Sequence, residues 1–87
     1  MRYVIDFYED AEGRIRWRLS AANGHILADG GQGYSRITDA RNGMTSATGF
    51  EVFGEDQATA RRALAVDNAT AFEFATVKDL RKERVDG

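Results

Sequence analysis

The sequence predicts a small α+β domain in which a three-stranded antiparallel meander is followed by a helix, in the order β-β-β-α. Two segments of alternating polarity, residues 2–8 and 14–19, predict strands, and an Asn-Gly pair after the second predicts a hairpin. Helical spacing of apolar residues beyond position 35 predicts the helix. We expect C-terminal strand and helix elements, together with a second subunit, to complete this fold.

The first strand is predicted over residues 2–8, where Tyr3, Ile5 and Phe7 alternate with residues of mixed polarity. The following segment, residues 9–13, is polar and ends in glycine, which adopts a positive φ at little cost. Such a segment is typical of a hairpin connection, so we expect the chain to turn back on itself here.

The second strand, residues 14–19, shows the strictest alternation in the chain. Its apolar side chains point to one face and its arginines to the other, because successive strand residues face opposite sides. Asn23-Gly24 predicts a type I′ turn, in which both residues have a positive φ, and residues 25–28 then resume a β-type sequence. These features predict the meander.

A helix is predicted over residues 36–48, with Ser35 as its N-cap and Gly49 just past its end. Gly43 within it costs about 1 kcal/mol relative to alanine. The apolar residues at helical spacing are Ile37, Ala40, Met44 and Ala47. This stripe requires a sheet to cover it.

The C-terminal half gives a weaker signal. Residues 50–53 resemble a short strand, residues 55–66 are rich in Ala and Arg and predict a helix, and residues 70–77 again favour a strand. Residues 78–87 carry both charge signs and few apolar residues, so we expect fraying there. The residues expected in the core are Ile5, Phe7, Ile15, Trp17, Leu19, Ile26, Ile37, Ala40 and Met44.

Several short motifs follow one another in a fixed order. They are Arg16-Trp17-Arg18-Leu19, Asn23-Gly24, Ile26-Leu27-Ala28-Asp29-Gly30 and Gly33-Tyr34-Ser35. In this order they resemble the repeat unit of the YegP-like family, whose small domains have no established biochemical role. The resemblance covers roughly residues 3–48 and implies a β-β-β-α unit that pairs with a second unit, on the same chain or on another subunit. We therefore divide the chain into a unit at 1–49 and a divergent extension at 50–87.

Composition excludes several classes of function. The 87 residues contain 12 Lys and Arg, 14 Asp and Glu, a single histidine and no cysteine. A disulfide framework, a thiolate zinc site and a cysteine nucleophile are therefore excluded, and so is any site that needs two imidazoles. The longest apolar run, residues 63–66, is far shorter than the roughly 20 residues that span a bilayer. We expect a cytoplasmic protein with no membrane partner and no cofactor.

The arginines of the second strand are the candidate binding residues. Arg14, Arg16 and Arg18 would form a ladder with about 6.6 Å between successive members, which suits phosphates or carboxylates. The alternative is a solvated strand face whose arginines pair across the sheet with acids such as Asp6 or Glu9. The net charge of −2 argues against a generally basic nucleic-acid surface.

Three other features have weaker chemical interpretations. Residues 30–33 are glycine-rich and precede the helix, but they match no phosphate-binding fingerprint, so we favour a tight turn. The acidic turn, residues 9–12, lacks the longer calcium-binding frame and is interpreted as a solvated loop. His25 belongs to no nucleophile motif and is expected at the surface. We therefore assign no catalytic and no metal-binding residue.

The leading functional hypothesis is a non-enzymatic interaction or assembly domain that acts as a homodimer, since dimerisation would bury apolar surface that one short unit cannot hide. The alternative is nucleic-acid or anion binding through the exposed arginine face.

Overall fold

The alternating segments form strands that pair across the centre of one mixed sheet. The structure, a computed structural model, describes residues 2–66 and 69–83. Within these residues the elements are β1 (Arg2–Glu9), β2 (Ile15–Ala21), β3 (Ile26–Asp29), α1 (Ile37–Thr48), β4 (Glu51–Phe53), β5 (Thr59–Val66), β6 (Ala69–Asp79) and a 3₁₀ helix (Leu80–Glu83). The six strands lie in the order β3-β2-β1-β6-β5-β4.

The first two strands form as predicted. They pair antiparallel in a register that places Ile5 opposite Leu19 and Phe7 opposite Trp17. All four side chains are buried, as is Ile15, so the predicted facing of the second strand is confirmed. The indole of Trp17 is therefore a core group rather than a surface for stacking.

The second hairpin differs from the predicted type I′ turn. Gly24 has a φ of 90°, but Asn23 keeps a negative φ. The Gly24 amide donates to the Ala21 carbonyl at 2.9 Å, and the Asn23 side-chain oxygen accepts from the His25 amide at 3.1 Å. The connection is thus a three-residue loop with its single left-handed residue at the glycine, because the asparagine side chain stabilises an ordinary turn instead.

A bulge in β3 overturns one of the core assignments. Ala28 pairs with Leu19 and Ile26 pairs with Ser20, so Leu27 is an additional residue on the β3 side. The additional residue moves Ile26 to the side of the sheet away from the helix, where its exposed fraction is 59%. The prediction that Ile26 lies in the core is therefore wrong.

The helix forms at the predicted place, but its N-terminus differs. It begins at Ile37, its N-cap is Arg36, and no side chain caps it. Ser35 lies one residue too far upstream to cap the helix, so that prediction is wrong. The predicted end is confirmed, because Gly49 adopts a φ of 82° and its amide donates to the Thr45 carbonyl at 2.8 Å.

The helix packs against β2 and β4. Ala40 and Met44 are fully buried, whereas Ile37 is partly buried and Ala47 is exposed. Phe50, two residues beyond the end of the helix, is also fully buried and is not among the residues predicted for the core. The helix therefore covers one face of the sheet, which we call the helix face. The opposite side is called the open face.

The predicted helix at 55–66 is wrong, because residues Thr59–Val66 form strand β5. Ala and Arg have high helix propensity, but cross-strand partners decide the conformation here. Ala60 is fully buried opposite Ala75, and the Arg62 guanidinium binds the carboxylate of Glu73 on the neighbouring strand. The short strand β4 and the strand predicted at 70–77, which is β6, are confirmed.

The C-terminal strand enters the sheet next to the first one. Strand β6 pairs parallel with β1, with Val77 opposite Ile5, so the sheet is mixed rather than purely antiparallel. A 3₁₀ helix follows at Leu80–Glu83, where we expected fraying, and residues 84–87 of that predicted tail lie outside the described residues. The extension thus supplies half of the sheet's strands.

Candidate functional site

The open face carries the predicted arginines of β2 together with a second set of side chains on β4, β5 and β6. Cross-strand partners share a face, so the observed registers assign each residue to a side. The open-face residues with charged or aromatic side chains are Arg2, Asp6, Tyr8, Arg16, Arg18, Asp29, Glu51, Phe53, Arg61, Phe72, Phe74 and Lys78.

Arg16 is held by the acidic turn and the glycine-rich loop. Its Nε donates to Asp10 Oδ2 at 2.7 Å, and its Nη1 donates to the Gly31 carbonyl at 3.0 Å. The other oxygen of Asp10 accepts from the amides of Glu12 and Arg14. Hydrogen bonding from the Arg16 guanidinium, followed by that from the Arg14 amide, holds the pKa of Asp10 below its ordinary value. The acidic turn therefore fixes the position of the Arg16 guanidinium.

Arg18 also has an acidic partner. Its Nη2 lies 3.3 Å from Asp6 Oδ2, and its guanidinium carbon lies 5.1 Å from the centre of the Tyr8 ring. Asp6 is one of the two acids that the sequence predicts as partners of these arginines. The acid that binds Arg16 is Asp10, and not the other predicted acid, Glu9. Arg14 precedes β2 and is exposed. The three arginines therefore do not form a row of unpaired cationic groups along β2.

The glycine-rich loop presents the wrong polarity for a phosphate. The Gly30 amide donates to the Trp17 carbonyl at 3.0 Å, and the carbonyls of Gly30 and Gly31 accept from Arg16. The helix begins only at Ile37, so its N-terminal amides do not adjoin the loop. This geometry agrees with the tight-turn interpretation.

Three phenylalanines and an arginine form a cluster on the other half of the open face. The exposed fractions of Phe53, Phe72 and Phe74 are 38%, 47% and 42%. The rings of Phe72 and Phe74 have centroids 6.4 Å apart, and the Arg61 guanidinium lies 5.1 Å from the ring centres of both Phe53 and Phe72. We call these four residues the phenylalanine cluster. The sequence does not reveal this cluster, because the composition of residues 55–66 predicts a helix.

On the helix face, an ion pair connects β5 and β6 to the start of β1. Arg62 Nε donates to Glu73 Oε1 at 2.9 Å, and the Tyr3 hydroxyl donates to Glu73 Oε2 at 2.7 Å. The same guanidinium lies 4.3 Å from the Phe50 ring centre. The hydrogen bond from Tyr3, followed by those from Arg62, lowers the pKa of Glu73.

From this ion pair onward, β5 and β6 continue as a two-stranded ribbon, formed by residues 62–66 and 69–73. Strand β4 pairs with β5 only as far as Arg61, and β1 pairs with β6 only from Phe74 onward. Leu64 on the ribbon is 39% exposed. Within the described ranges, neither strand of the ribbon has a partner on its outer edge.

The described residues contain no group of three or more His, Asp or Glu side chains placed to hold a metal ion. His25 is exposed, as expected. No helix in the part of the chain that the structure describes is long and apolar enough to cross a membrane.

Comparison with known families identifies part of the chain. Residues 10–49 match the family model of a domain of unknown function, DUF1508. This segment, less than half of the chain, is similar to the DUF1508 domain. The YegP-like family is the DUF1508 family, so the resemblance noted in the sequence is confirmed. No curated protein and no solved structure matches the chain.

The DUF1508 match contains β2, β3 and α1 and ends at the glycine that terminates the helix. Strand β1, the phenylalanine cluster and the ribbon all lie outside it. The match therefore includes the predicted arginines, while the exposed phenylalanines belong to the extension that follows the matched segment.

Proposed function

We propose that this protein is a non-enzymatic interaction domain that acts as a homodimer, with the outer edge of β5 in the ribbon as its interface. The single observation that carries the proposal is that, among the described residues, the outer edge of β5 has no partner strand over residues 62–66, which are apolar apart from Arg62. An exposed strand edge offers its free N–H and C=O groups to any other strand, including a second copy of itself.

Apart from Arg62 and Glu73, which pair with each other at its base, the described residues of the ribbon lack the features that normally protect such an edge. Residues 63–66 and 69–72 contain no charged residue and no proline. The two outer strands of the sheet differ, because β3 is short and bulged and contains Asp29, while β4 has only three residues and includes Glu51. Short length, bulges and charges are the usual means of preventing edge pairing. The ribbon is therefore the unprotected edge of this fold.

The ribbon is anchored at its base but unsupported beyond it. The contacts of Arg62 with Glu73, Phe50 and the Thr48 carbonyl fix its orientation relative to the helix face. A two-stranded hairpin on its own is marginally stable in water, since it needs further strands or a packed face. Pairing with a second copy would supply the missing strands.

Self-pairing of β5 satisfies two-fold symmetry. The unpaired stretch, residues 62–66, centres on Leu64, so an antiparallel dimer would place the two copies of Leu64 opposite each other. Arg62 would then face position 66, and no like charges would oppose one another. A contact of this kind uses the same surface on both subunits, which is the commonest form of homodimer.

Cysteine cross-linking tests this interface, because the natural chain has no cysteine. We expect the native protein to sediment as a dimer at micromolar concentration. A Leu64→Cys variant should form a disulfide-linked dimer on mild oxidation, since opposed antiparallel residues have Cα atoms about 4.5–5.5 Å apart, within the range that a disulfide spans.

Ile26→Cys is the matched control, because Ile26 is an exposed aliphatic residue on the opposite outer strand. It should remain uncross-linked at the same protein concentration. A monomer in sedimentation would contradict the homodimer, whereas a dimer that cross-links through residue 26 and not through residue 64 would contradict only the β5 interface.

The second candidate is anion or nucleic-acid binding through Arg14, Arg16 and Arg18. Its support is that Arg16 and Arg18 share the uncovered face of the sheet with Tyr8. Two of the three guanidinium groups already bind carboxylates, which reduces the free positive charge available to a ligand. It therefore ranks below the homodimer.

A further inference from the structure

We propose that the phenylalanine cluster and Arg2 form a binding site for single-stranded nucleic acid, with bases stacked on Phe72 and Phe74 and phosphates bound by Arg61 and Arg2. This site differs from the arginines of β2 and does not depend on dimerisation. It lies on the open face, whereas the proposed dimer contact lies on the edge of β5.

The rings are accessible in the way that base stacking requires. Phe72 and Phe74 are close to half exposed and stand side by side on β6, with their planes 44° apart. Phe53 adds a third exposed ring on β4. Aromatic side chains on an uncovered sheet bind unstacked bases, about two or three for each sheet face, because every base has a π face.

Two positive charges flank the central ring. The registers place Arg61 and Arg2 on the strands on either side of Phe74, each directly opposite it. Strand spacing separates these positions by about 10 Å across the sheet. Both arginines are exposed, and the Arg61 guanidinium lies against the faces of Phe53 and Phe72. The site therefore combines stacking surfaces with phosphate-binding groups.

The charges of this site favour nucleic acid over a second copy of the chain. Among the cross-strand partners of Phe74 and Arg61, one residue is an acid, Glu51, so the two arginines outnumber the acid there. If two copies packed face to face around Phe74, each would bring its Arg2 and Arg61 close to the same residues of the other. Such like-charge contacts oppose self-association but suit a phosphate backbone.

Single strands fit this surface better than duplexes. Bases in a duplex are stacked on each other and cannot lie flat on the protein's rings. The affinity of the site should depend on salt, because each phosphate contact releases counterions, with a log–log slope of about −0.7 for each contact on a single strand.

Fluorescence anisotropy with a labelled oligothymidylate of about ten nucleotides tests the proposal at low salt. Phe74→Leu removes the π surface while retaining an apolar side chain, and it should weaken binding by about fivefold or more. Arg61→Gln should weaken binding and reduce the salt slope by about 0.7. A duplex of the same length should bind less tightly than the single strand.

Arg36→Gln is the matched control, since Arg36 is exposed at the start of the helix and its loss changes the net charge by the same amount. It should leave the affinity unchanged, and circular dichroism should show that all variants remain folded. The proposal is overturned if the native protein does not bind at low salt, or if Phe74→Leu binds as tightly as the native protein.

A variant in which the three arginines Arg14, Arg16 and Arg18 are replaced together distinguishes binding at β2 from binding by Arg2 and Arg61. Loss of binding in that variant, with Arg61→Gln unaffected, would assign the ligand to β2 and overturn the cluster site. Sedimentation of the Phe74→Leu and Arg61→Gln variants should still show a dimer. Failure of the dimer proposal is therefore distinguishable from failure of this one.

Discussion

At the scale of single residues, the side chains that carry charge are used mainly to join elements. Asp10 connects the first turn to β2, and Glu73 connects β6 to both β1 and β5. The pKa of each carboxyl group is lowered by its hydrogen-bond donors, led by Arg16 for Asp10 and by Tyr3 for Glu73. A depressed pKa in the folded state means that the ionised group stabilises the fold.

Glu73 therefore predicts how stability depends on pH. Its folded pKa lies below the ordinary value of 4.5, so its contribution is fully present above about pH 4.5 and is lost as the pH falls through the folded pKa. We expect Glu73→Gln to lower the free energy of unfolding at pH 7 and to flatten its dependence on pH below 4.5. Urea unfolding at a series of pH values measures both effects.

Glu55→Gln is the control for that experiment, because Glu55 is exposed in the loop between β4 and β5. It should retain the native pH dependence. If Glu73→Gln matched the native protein at every pH, the bonds from Tyr3 and Arg62 would not be stabilising.

At the scale of elements, α1 has a glycine where local propensity favours alanine. The Tyr34 ring packs against the helix at Gly43, and a Cβ at that position would lie 2.7 Å from the ring carbon Cζ of Tyr34. Tyr34 also fixes the loop to the sheet, because its backbone exchanges two hydrogen bonds with Ile15. The glycine is therefore required by the close approach of the tyrosine.

Gly43→Ala should destabilise the protein by about 1–3 kcal/mol through overpacking, although alanine is the better helix former by about 1 kcal/mol. In a Tyr34→Ala background the clash is absent, so the same substitution should become stabilising. A double-mutant cycle measured by urea unfolding gives the coupling between the two sites.

Asn42→Ala is the control for the helix, since Asn42 is exposed one residue earlier. It should stabilise the protein slightly, by about 0.7 kcal/mol or less, as the higher helix propensity of alanine requires. A stabilising Gly43→Ala in the native background would show that Tyr34 moves away without cost and would refute the packing requirement.

At the scale of the whole molecule, residues 1–49, which contain the segment similar to DUF1508, share one core with the extension. Strand β1 lies between β2 and β6, and the buried residues Phe50, Ala60, Ala75 and Val77 all come from beyond Gly49. A fragment of residues 1–49 would expose the outer edge of β1 and the apolar surface that these side chains cover.

We expect the fragment 1–49 not to unfold cooperatively, because it loses the parallel partner of β1 and part of the core. Thermal unfolding followed by circular dichroism checks this against residues 1–83 and the full chain, both of which should unfold in one transition. A sharp transition for the 1–49 fragment would show that the extension is a separate addition.

The predictions that the structure confirms are those that depend only on local sequence pattern. Alternation placed Ile15, Trp17 and Leu19 on the buried face of β2, and a glycine at the end of an apolar stripe fixed the end of α1. Both depend on residues close together in the chain. The arginines of β2 were also assigned to the correct face, and Asp6 was among their predicted partners.

Tertiary structure decided what local pattern could not. Residues 59–66 have helix-forming composition, yet they form a strand because Ala60 and Arg62 find partners on β6. The bulge at Leu27 turned Ile26 outward, and only the pairing of β5 with β4 and β6 brought the phenylalanine cluster together. The sequence by itself determined which way neighbouring side chains point, since that follows from strand and helix periodicity. Which strands meet depends on contacts between residues far apart in the chain, whose energies outweigh local propensity.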